Sequence, residues 1–250
     1  VQSALGPFHG WLLSSMTAPT PASALMHAGF VNAGGVLLVR FSPIFSESLT
    51  VMTAVVVVGA FGAIFGKLMK SVRPEIKSKL GCSTAGQMGF MVMQAGLGFF
   101  SAAVTHLILH GFYKAYLFLS SGGRIEHTSP GEEEQEPIGV KGAVVTLVAA
   151  LSGGFLFGVL TGKGASLDSG LLLTLLVVLT AGHATRDIVR KPLPSVIRYV
   201  AVPAVFLTAV TVYAVVFESV TAVMEAAPVP SVIAAEPTEL TAVHVVVGVA

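Results

Sequence analysis

Apolar stretches of about 20 residues alternate with short polar breaks along most of the 250-residue chain. A helix of that length spans the ~30 Å hydrocarbon core of a bilayer. We interpret each stretch as a helix, because an open sheet cannot satisfy its backbone hydrogen bonds in lipid. The pattern predicts an all-α, polytopic transmembrane helix bundle with seven full spans, at about 22–41, 47–70, 80–100, 102–121, 142–162, 168–186 and 196–217.

Prolines interrupt this pattern near the N-terminus. Two prolines fall within Thr17–Pro21, and a helix cannot continue through prolines spaced so closely. We therefore expect a helix fragment or re-entrant piece near 1–16, then a break, which gives the bundle a broken helix near its N-terminus. The stretch 218–239, rich in Pro, Ala and Glu, predicts a loop. A last span begins near 240, and since both chain ends already resemble helix, we expect a fragment.

Basic residues orient the predicted bundle. If the spans alternate, the loops at 67–79, 122–141 and 186–198 lie on one side, and they hold eleven Lys and Arg residues. The opposite side holds only Arg40 and Lys163. Such an excess marks the cytoplasmic side of a membrane protein. We expect a multi-pass protein of the cell inner (plasma) membrane.

Composition narrows the class of protein further. The chain is 54% hydrophobic and 11% charged, with a mean hydropathy of +0.83, whereas a soluble domain carries about 25% charged residues. A net charge of +1 gives no reason to expect a nucleic-acid partner. The single cysteine, Cys82, cannot form an internal disulfide, and no Cys/His spacing indicates zinc. Nucleotide-binding, metalloprotease and Ser/His/Asp patterns are missing too, so we expect no metal, no cofactor and no redox or hydrolytic centre.

Small residues predict where helices approach closely. Gly62 and Gly66 form a small-xxx-small pair in the span at 47–70, which is typical of helix packing in membranes. We interpret the glycines as packing positions rather than ligand sites, and the same applies to Gly34, Gly35, Gly96 and Gly98.

A polar stripe in the span at 102–121 carries the candidate chemistry. His106, His110 and Lys114 occupy successive i, i+4 positions. On an α-helix such residues drift by only ~40° and rise by ~6 Å per step, so they share one face. Ionisable groups inside a membrane are costly and usually line a hydrated interior, and histidine exchanges protons near neutral pH. We interpret the stripe as a proton pathway, against the simpler alternative of separate hydrogen bonds and a snorkelling lysine.

Other polar residues extend this hypothesis. His27 follows Pro21 by six residues, and broken helices expose backbone groups at membrane depth where proton sites form. Alone, however, it would be a hydrogen-bonded packing residue. Lys77 is either ordinary cytoplasmic flanking charge or part of the pathway. Ser83 and Gln87 lie one helical turn apart and are predicted to line a hydrated path.

Three segments of the chain resemble the signatures of one superfamily. They are GPFHGWLLSSMTAPTPASALMHAGFVNAGGVLLVR, PEIKSKLGCSTAGQMGFM and THLILHGFYKAYLFLSSG. They resemble the antiporter-like proton-translocating membrane subunits, which include subunit L (chain 5) of NADH–quinone oxidoreductase, the large Mrp antiporter subunits and the DabB partner of DabA in inorganic-carbon uptake. The resemblance implies an antiporter-like proton-conducting core at 1–122, a polar cytoplasmic loop at 123–141 and C-terminal transmembrane helices at 142–250.

The resemblance also implies roles for individual residues. His27 matches the histidine after the Pro-Thr-Pro break, and Lys77 matches the lysine in the following signature. The His-x-x-x-His-x-x-x-Lys proton wire falls on His106, His110 and Lys114. Gln2 stands, in a gap-free alignment, where the superfamily carries the lysine of its broken helix, so either the alignment is offset or that site is lost.

Together, the residues and the resemblance predict a proton-conducting transmembrane subunit of a complex I/Mrp-type transporter, most like the DabB branch. The segments HGWLLSSM and GFYKAYLFLSSG favour that branch. The implied partners are a DabA-like soluble protein or complex I subunits, in a lipid bilayer. The alternatives are a respiratory subunit L-type proton pump subunit, a cation/proton exchanger, for which no cation site is visible, and a non-conducting membrane scaffold.

Overall fold

The computed structural model describes residues 2–121, 140–162, 174–175 and 195–226. Most of the span predicted at 168–186, most of the loop predicted at 123–141 and all of the span predicted from 240 lie outside these ranges. Within them, every regular element is helical, which confirms the all-α prediction. The α-helices are α1 (Gly10–Ser14), α2 (Thr20–Ala28), α3 (Ala33–Arg40), α4 (Ser42–Phe45), α5 (Leu49–Val72), α6 (Ile76–Gly96), α7 (Phe100–Ser121), α8 (Val140–Thr161) and α9 (Ser195–Ala226).

These residues divide into two compact units. The first contains residues 2–121 together with 220–226, and the second contains 140–162 and 195–219. All the predicted site residues belong to the first unit.

The N-terminal part of the first unit is broken more often than the proline pattern predicts. The predicted fragment at 1–16 is helical only from Gly10 onward, where α1 runs into a 3₁₀ turn at Ser15–Thr17. The chain then turns extended at Ala18 and Pro19, and α2 begins at Thr20, so the predicted break is confirmed.

The span predicted at 22–41 contains a second break. A 3₁₀ turn at Phe30–Asn32 separates α2 from α3. Here the Asn32 side chain donates from Nδ2 to the Ala28 carbonyl oxygen at 2.6 Å. A side chain that bonds its own backbone in this way competes with the regular helical ladder. The apolar pattern contains no sign of such a bond, and it therefore predicted one continuous helix.

Helices α5 and α6 pack with their backbones in direct contact. A Cβ atom added to Gly66 would overlap the backbone of Gly86, and one added to Gly89 would overlap the backbones of Ala63 and Gly62. Close approach of this kind is what small residues allow in membrane helices, where dispersion forces rather than hydrophobic burial hold helices together. The packing role predicted for Gly62 and Gly66 is therefore confirmed.

Replacing Gly89 with alanine is expected to destabilise the first unit. The new methyl group would have to displace the α5 backbone, and overpacking of this kind costs about 1–3 kcal/mol. The control is Gly10→Ala, because nothing lies within 4 Å of the added Cβ at Gly10. Reversible unfolding of the two variants in detergent measures the difference, and equal free energies of unfolding would contradict the packing described here.

Helix α7 packs against α2 and α6, and the buried core of the first unit lies around these helices and α1. The connection from α6 to α7 turns at Gly98, whose φ of +83° is a backbone conformation that residues with a side chain rarely adopt. Apolar side chains fill the core, among them Leu12, Val31, Met88, Met91 and Phe100.

The outer face of α5 is apolar and uncovered within the described chain. Its large side chains recur at helical spacing and are each more than half exposed: Val57, Phe61, Ile64 and Leu68. A soluble monomer rarely exposes an apolar stripe of this size, whereas in a membrane lipid solvates such a face.

In the second unit, α8 packs on α9 through aromatic contacts. The ring of Phe157 lies 5.9 Å from that of Tyr213 and 6.0 Å from that of Phe217, measured between centroids. Helix α9 continues to Ala226, so the loop predicted at 218–239 is wrong for its first residues. The segment 218–226 is rich in good helix formers, and the prolines that end helices come only after it.

Four stretches among the described residues are long and apolar enough to cross a membrane. They are Thr20–Arg40, Leu49–Val72, Ala143–Thr161 and Pro203–Ala226. They correspond to the spans predicted at 22–41, 47–70, 142–162 and 196–217. Helices α6 and α7 have similar lengths but carry the polar residues of the candidate site.

Candidate proton site between the broken helix, α6 and α7

The predicted stripe on α7 exists as one face of a regular helix. The imidazole rings of His106 and His110 lie 6.0 Å apart between centroids. His106 is half-buried beside Phe90, whereas His110 and Lys114 are buried. The structure thus brings the three predicted residues together in register, with the deepest burial toward Lys114.

Lys114 is 1% exposed, and its partner is a backbone carbonyl. Its Nζ donates to the carbonyl oxygen of Leu80 on α6 at 3.1 Å. The same oxygen accepts a hydrogen bond from Thr84 Oγ1 at 3.0 Å. The two side chains therefore share one backbone acceptor on α6. Thr84 is buried, and the sequence did not single it out because its role depends on a carbonyl that any residue provides.

His27 reaches the same region from the broken helix. Its ring is fully buried and stacks on Phe118 of α7, with centroids 4.4 Å apart and the planes 23° apart. On the α6 side it faces Gly81, where an added Cβ would lie 3.5 Å from the imidazole Cε1. Phe118 follows Lys114 by four residues, so the stripe on α7 continues into the contact with His27. His27 and Lys114 interact electrostatically.

The second break lies against the middle of α7. A Cβ added at Gly111 would meet the Ala28 carbonyl oxygen at 3.1 Å and the Asn32 Nδ2 at 3.9 Å. The absence of a side chain at Gly111 thus favours this close approach of α7 to the interrupted segment. Asn32 is therefore held beside the residue that follows His110.

Several buried polar atoms in this region have no hydrogen-bond partner among the described residues. They are both ring nitrogens of His27, both ring nitrogens of His110, and Oδ1 of Asn32. Buried polar atoms in folded proteins are almost always hydrogen-bonded, either to protein or to internal water. His110 also interacts electrostatically with His106, Lys114 and His27, so these four side chains form one cluster. The arrangement has the polarity that internal water needs.

The remaining predicted residues lie apart from this cluster. The Nζ atom of Lys77 donates to two carbonyl oxygens at the first break, those of Met16 at 3.4 Å and Ala18 at 3.0 Å. Ser83 is half-buried and Gln87 is exposed, so the structure does not bring Gln87 into the buried set. The lining role predicted for these two stays a prediction, and Thr84 is the buried hydroxyl of that turn.

Gln2 lies at the second break. Its Nε2 donates to the carbonyl oxygen of Phe30 at 3.3 Å, and the side chain is exposed. The position that the resemblance assigns to a lysine is thus occupied by Gln2, a neutral donor. It binds a carbonyl oxygen of the 3₁₀ turn.

Comparison with known proteins gives a consistent result. A family model described as NADH:quinone oxidoreductase/Mrp antiporter, transmembrane, matches residues 1–184. The probable inorganic carbon transporter subunits DabB1 and DabB2 of Halothiobacillus neapolitanus are 52% and 38% identical to the chain, over 124 and 194 residues. NADH-quinone oxidoreductase subunit L of Mycobacterium tuberculosis is 41% identical over 155 residues.

The matches cover more of this chain than of the relatives. They include 50%, 77% and 61% of the chain but only 22%, 35% and 24% of DabB1, DabB2 and subunit L. The chain therefore spans about a third or less of the length of these relatives. The predicted multi-pass location in the inner (plasma) membrane agrees with the matched family and its bacterial members.

Proposed function

The chain belongs to the NADH:quinone oxidoreductase/Mrp antiporter membrane family, and we propose that it conducts protons through His27, His106, His110 and Lys114. The pathway runs along the buried face of α7 and reaches the broken helix at His27. Protons move between these groups by way of internal water.

The observation that carries this proposal is the unpartnered state of two buried histidines. Four imidazole nitrogens, of His27 and His110, find no hydrogen-bond partner in the described chain. A histidine kept only for packing would be expected to bond a neighbouring carbonyl or hydroxyl, because leaving a buried polar group unpaired costs about 1–3 kcal/mol. Buried nitrogens without a partner in the described chain can bond internal water, which a proton relay needs, since a relay must bind and release protons at both ring atoms.

The partner of Lys114 supports the same reading. A lysine fixed by a carboxylate would keep its charge through a buried ion pair, which is strongly destabilised if one partner changes. Leu80 offers a carbonyl oxygen instead, and this oxygen retains the Thr84 hydroxyl when Lys114 moves or loses its proton. The lysine is therefore held in place without being locked into one protonation state.

Spacing along the pathway requires water between the groups. Successive residues of the stripe rise by ~6 Å along the helix, which exceeds hydrogen-bond distance by about a factor of two. Water bridges of this kind are nearly as favourable as direct hydrogen bonds. The unpartnered Oδ1 of Asn32 provides an acceptor for such water beside α7.

We infer the kind of transporter from the relatives. Subunits named as probable inorganic carbon transporters reach 52% identity to this chain, and a respiratory subunit L reaches 41%. We favour a DabB-like subunit whose proton flow drives inorganic-carbon uptake together with a DabA-like soluble partner. A respiratory subunit L-type role with complex I partners is the second candidate. The protein that copurifies distinguishes them, since the first requires a soluble partner and the second a set of respiratory subunits.

Proton flux through the full-length protein tests conduction itself. The protein and its copurifying subunits are reconstituted in liposomes with a pH-sensitive dye inside, and a potassium diffusion potential drives protons inward. Replacing His110 with leucine is expected to reduce flux about 100-fold, the scale on which positioned proton-transfer groups contribute. The matched control is Tyr113→Phe, because the side chain of Tyr113 is exposed, whereas that of His110 is buried. Equal flux in His110→Leu and the wild type would contradict conduction through His110 and would favour a scaffold role for this chain.

A further inference from the structure

We propose that Lys77 is a positioning residue which fastens the first break of the chain to α6, and that it does not carry protons. This inference rests on the proposed function only where flux is the readout. The sequence offered two roles for Lys77, flanking charge and pathway member, and the structure points to a third.

The geometry joins two distant parts of the chain. Lys77 is the second residue of α6, and its Nζ donates to the carbonyl oxygens of Met16 and Ala18, about 60 residues earlier. Both acceptors belong to the short segment between α1 and α2. One half-buried ammonium group therefore bridges the end of the 3₁₀ turn and the start of the break.

Backbone chemistry explains why a donor is needed there. Pro19 and Pro21 have no N–H group, so the helical ladder loses two donors within three residues. Carbonyl oxygens at an interrupted helix end must be satisfied by side chains, water or local turns. Ser23 contributes one such bond, from Oγ to the Ala18 carbonyl oxygen at 3.3 Å, and Lys77 contributes two with a full positive charge.

The location of Lys77 on α6 is otherwise unfavourable. A cation in the first turn of a helix faces the positive end of the helix dipole. Directing the ammonium group at two carbonyl oxygens of another segment compensates for this, because bonds between a charged donor and an acceptor are stronger than neutral ones. Lys79, in the same turn, is exposed and has no side-chain hydrogen bond within the described chain.

The contacts also separate Lys77 from the proton pathway. Lys114 has His27 and His110 as electrostatic neighbours, and the proposed pathway runs through both histidines. The hydrogen bonds of Lys77 end on backbone carbonyl oxygens, which accept hydrogen bonds but do not take up protons at physiological pH. What depends on Lys77 is the placement of α2, and through α2 the placement of His27.

Two substitutions of Lys77 distinguish a positioning role from a proton-carrying role. Arginine keeps the positive charge and several N–H donors but does not release a proton, whereas methionine has similar length and no donor. We expect Lys77→Arg to keep flux within about threefold of the wild type, and Lys77→Met to lower flux roughly tenfold, because two charge-assisted bonds are lost. Lys79→Met is the matched control and should leave flux unchanged.

Hydrogen exchange gives a readout that does not depend on conduction. In Lys77→Met, the backbone amides of Ala18 and Ser23 should exchange roughly tenfold faster than in the wild type, because the break opens locally more often. In Lys77→Arg their exchange should match the wild type. Loss of flux in Lys77→Arg with unchanged exchange would make Lys77 a carrier and overturn the proposal. Unchanged exchange in Lys77→Met would also overturn it, even if the wild-type protein conducted no protons.

Discussion

Replacing Lys114 with methionine is expected to reduce proton flux about 100-fold while leaving the fold intact. Methionine has a similar length and fills the buried space that the lysine stem occupies. The Leu80 carbonyl oxygen keeps its bond from Thr84 Oγ1, so no acceptor is left without a donor. What disappears is the only ionisable group between His110 and the Phe118–His27 stack on this face of α7. Flux in proteoliposomes and unfolding in detergent measure the two effects separately.

The arginine variant sharpens this test. Lys114→Arg retains a permanent positive charge and donors for the Leu80 carbonyl oxygen, but it does not release a proton at physiological pH. We expect flux to fall as far as in Lys114→Met. Near-normal flux would mean that position 114 supplies only a fixed charge, which contradicts a relay. Tyr116→Phe is the control, because Tyr116 is exposed on the same helix.

The second large effect is expected from His27→Phe. Phenylalanine preserves the size and the aromatic stacking on Phe118 but removes both ring nitrogens. Flux should fall by about one to two orders of magnitude if His27 passes protons. The free energy of unfolding should stay within about 1 kcal/mol of the wild type or rise, because the substitution removes buried polar atoms that have no protein partner.

Phe118→Leu provides the opposite pattern. It removes the stacking partner and leaves both nitrogens of His27 in place. An aromatic pair contributes about 0.5–1.5 kcal/mol beyond its buried area, so this variant should be less stable than the wild type but should keep most of its flux. If His27→Phe lost stability and kept flux, His27 would be a packing residue, which is the simpler role that the sequence left open for it.

The fold was predictable where hydrophobicity is continuous and less so where side chains act on their own backbone. The apolar runs located α5 and α8 to within a few residues, since a helix is the stable solution for such a run in lipid. Prolines marked the first break correctly. The second break was missed, because it depends on the Asn32 amide bonding the Ala28 carbonyl oxygen, and Asn32 is also compatible with an unbroken helix.

The site shows a similar division. Helical spacing alone placed His106, His110 and Lys114 on one face, as the structure has them. No sequence pattern identifies the Leu80 carbonyl oxygen as the partner of Lys114, because every residue has a carbonyl. Phe118 is predictable from the sequence, since it continues the same i, i+4 series by one step.

The glycine contact between α5 and α6 has a mechanical consequence. Side chains that interlock across an interface slide by changing rotamer, but Gly66 and Gly89 bring two main chains together with nothing between them to rearrange. Densely packed backbones transmit strain rather than absorb it. We expect α5 and α6 to move as one rigid body through the transport cycle. Conformational change would then occur in the interrupted segment α2–α3, which carries His27.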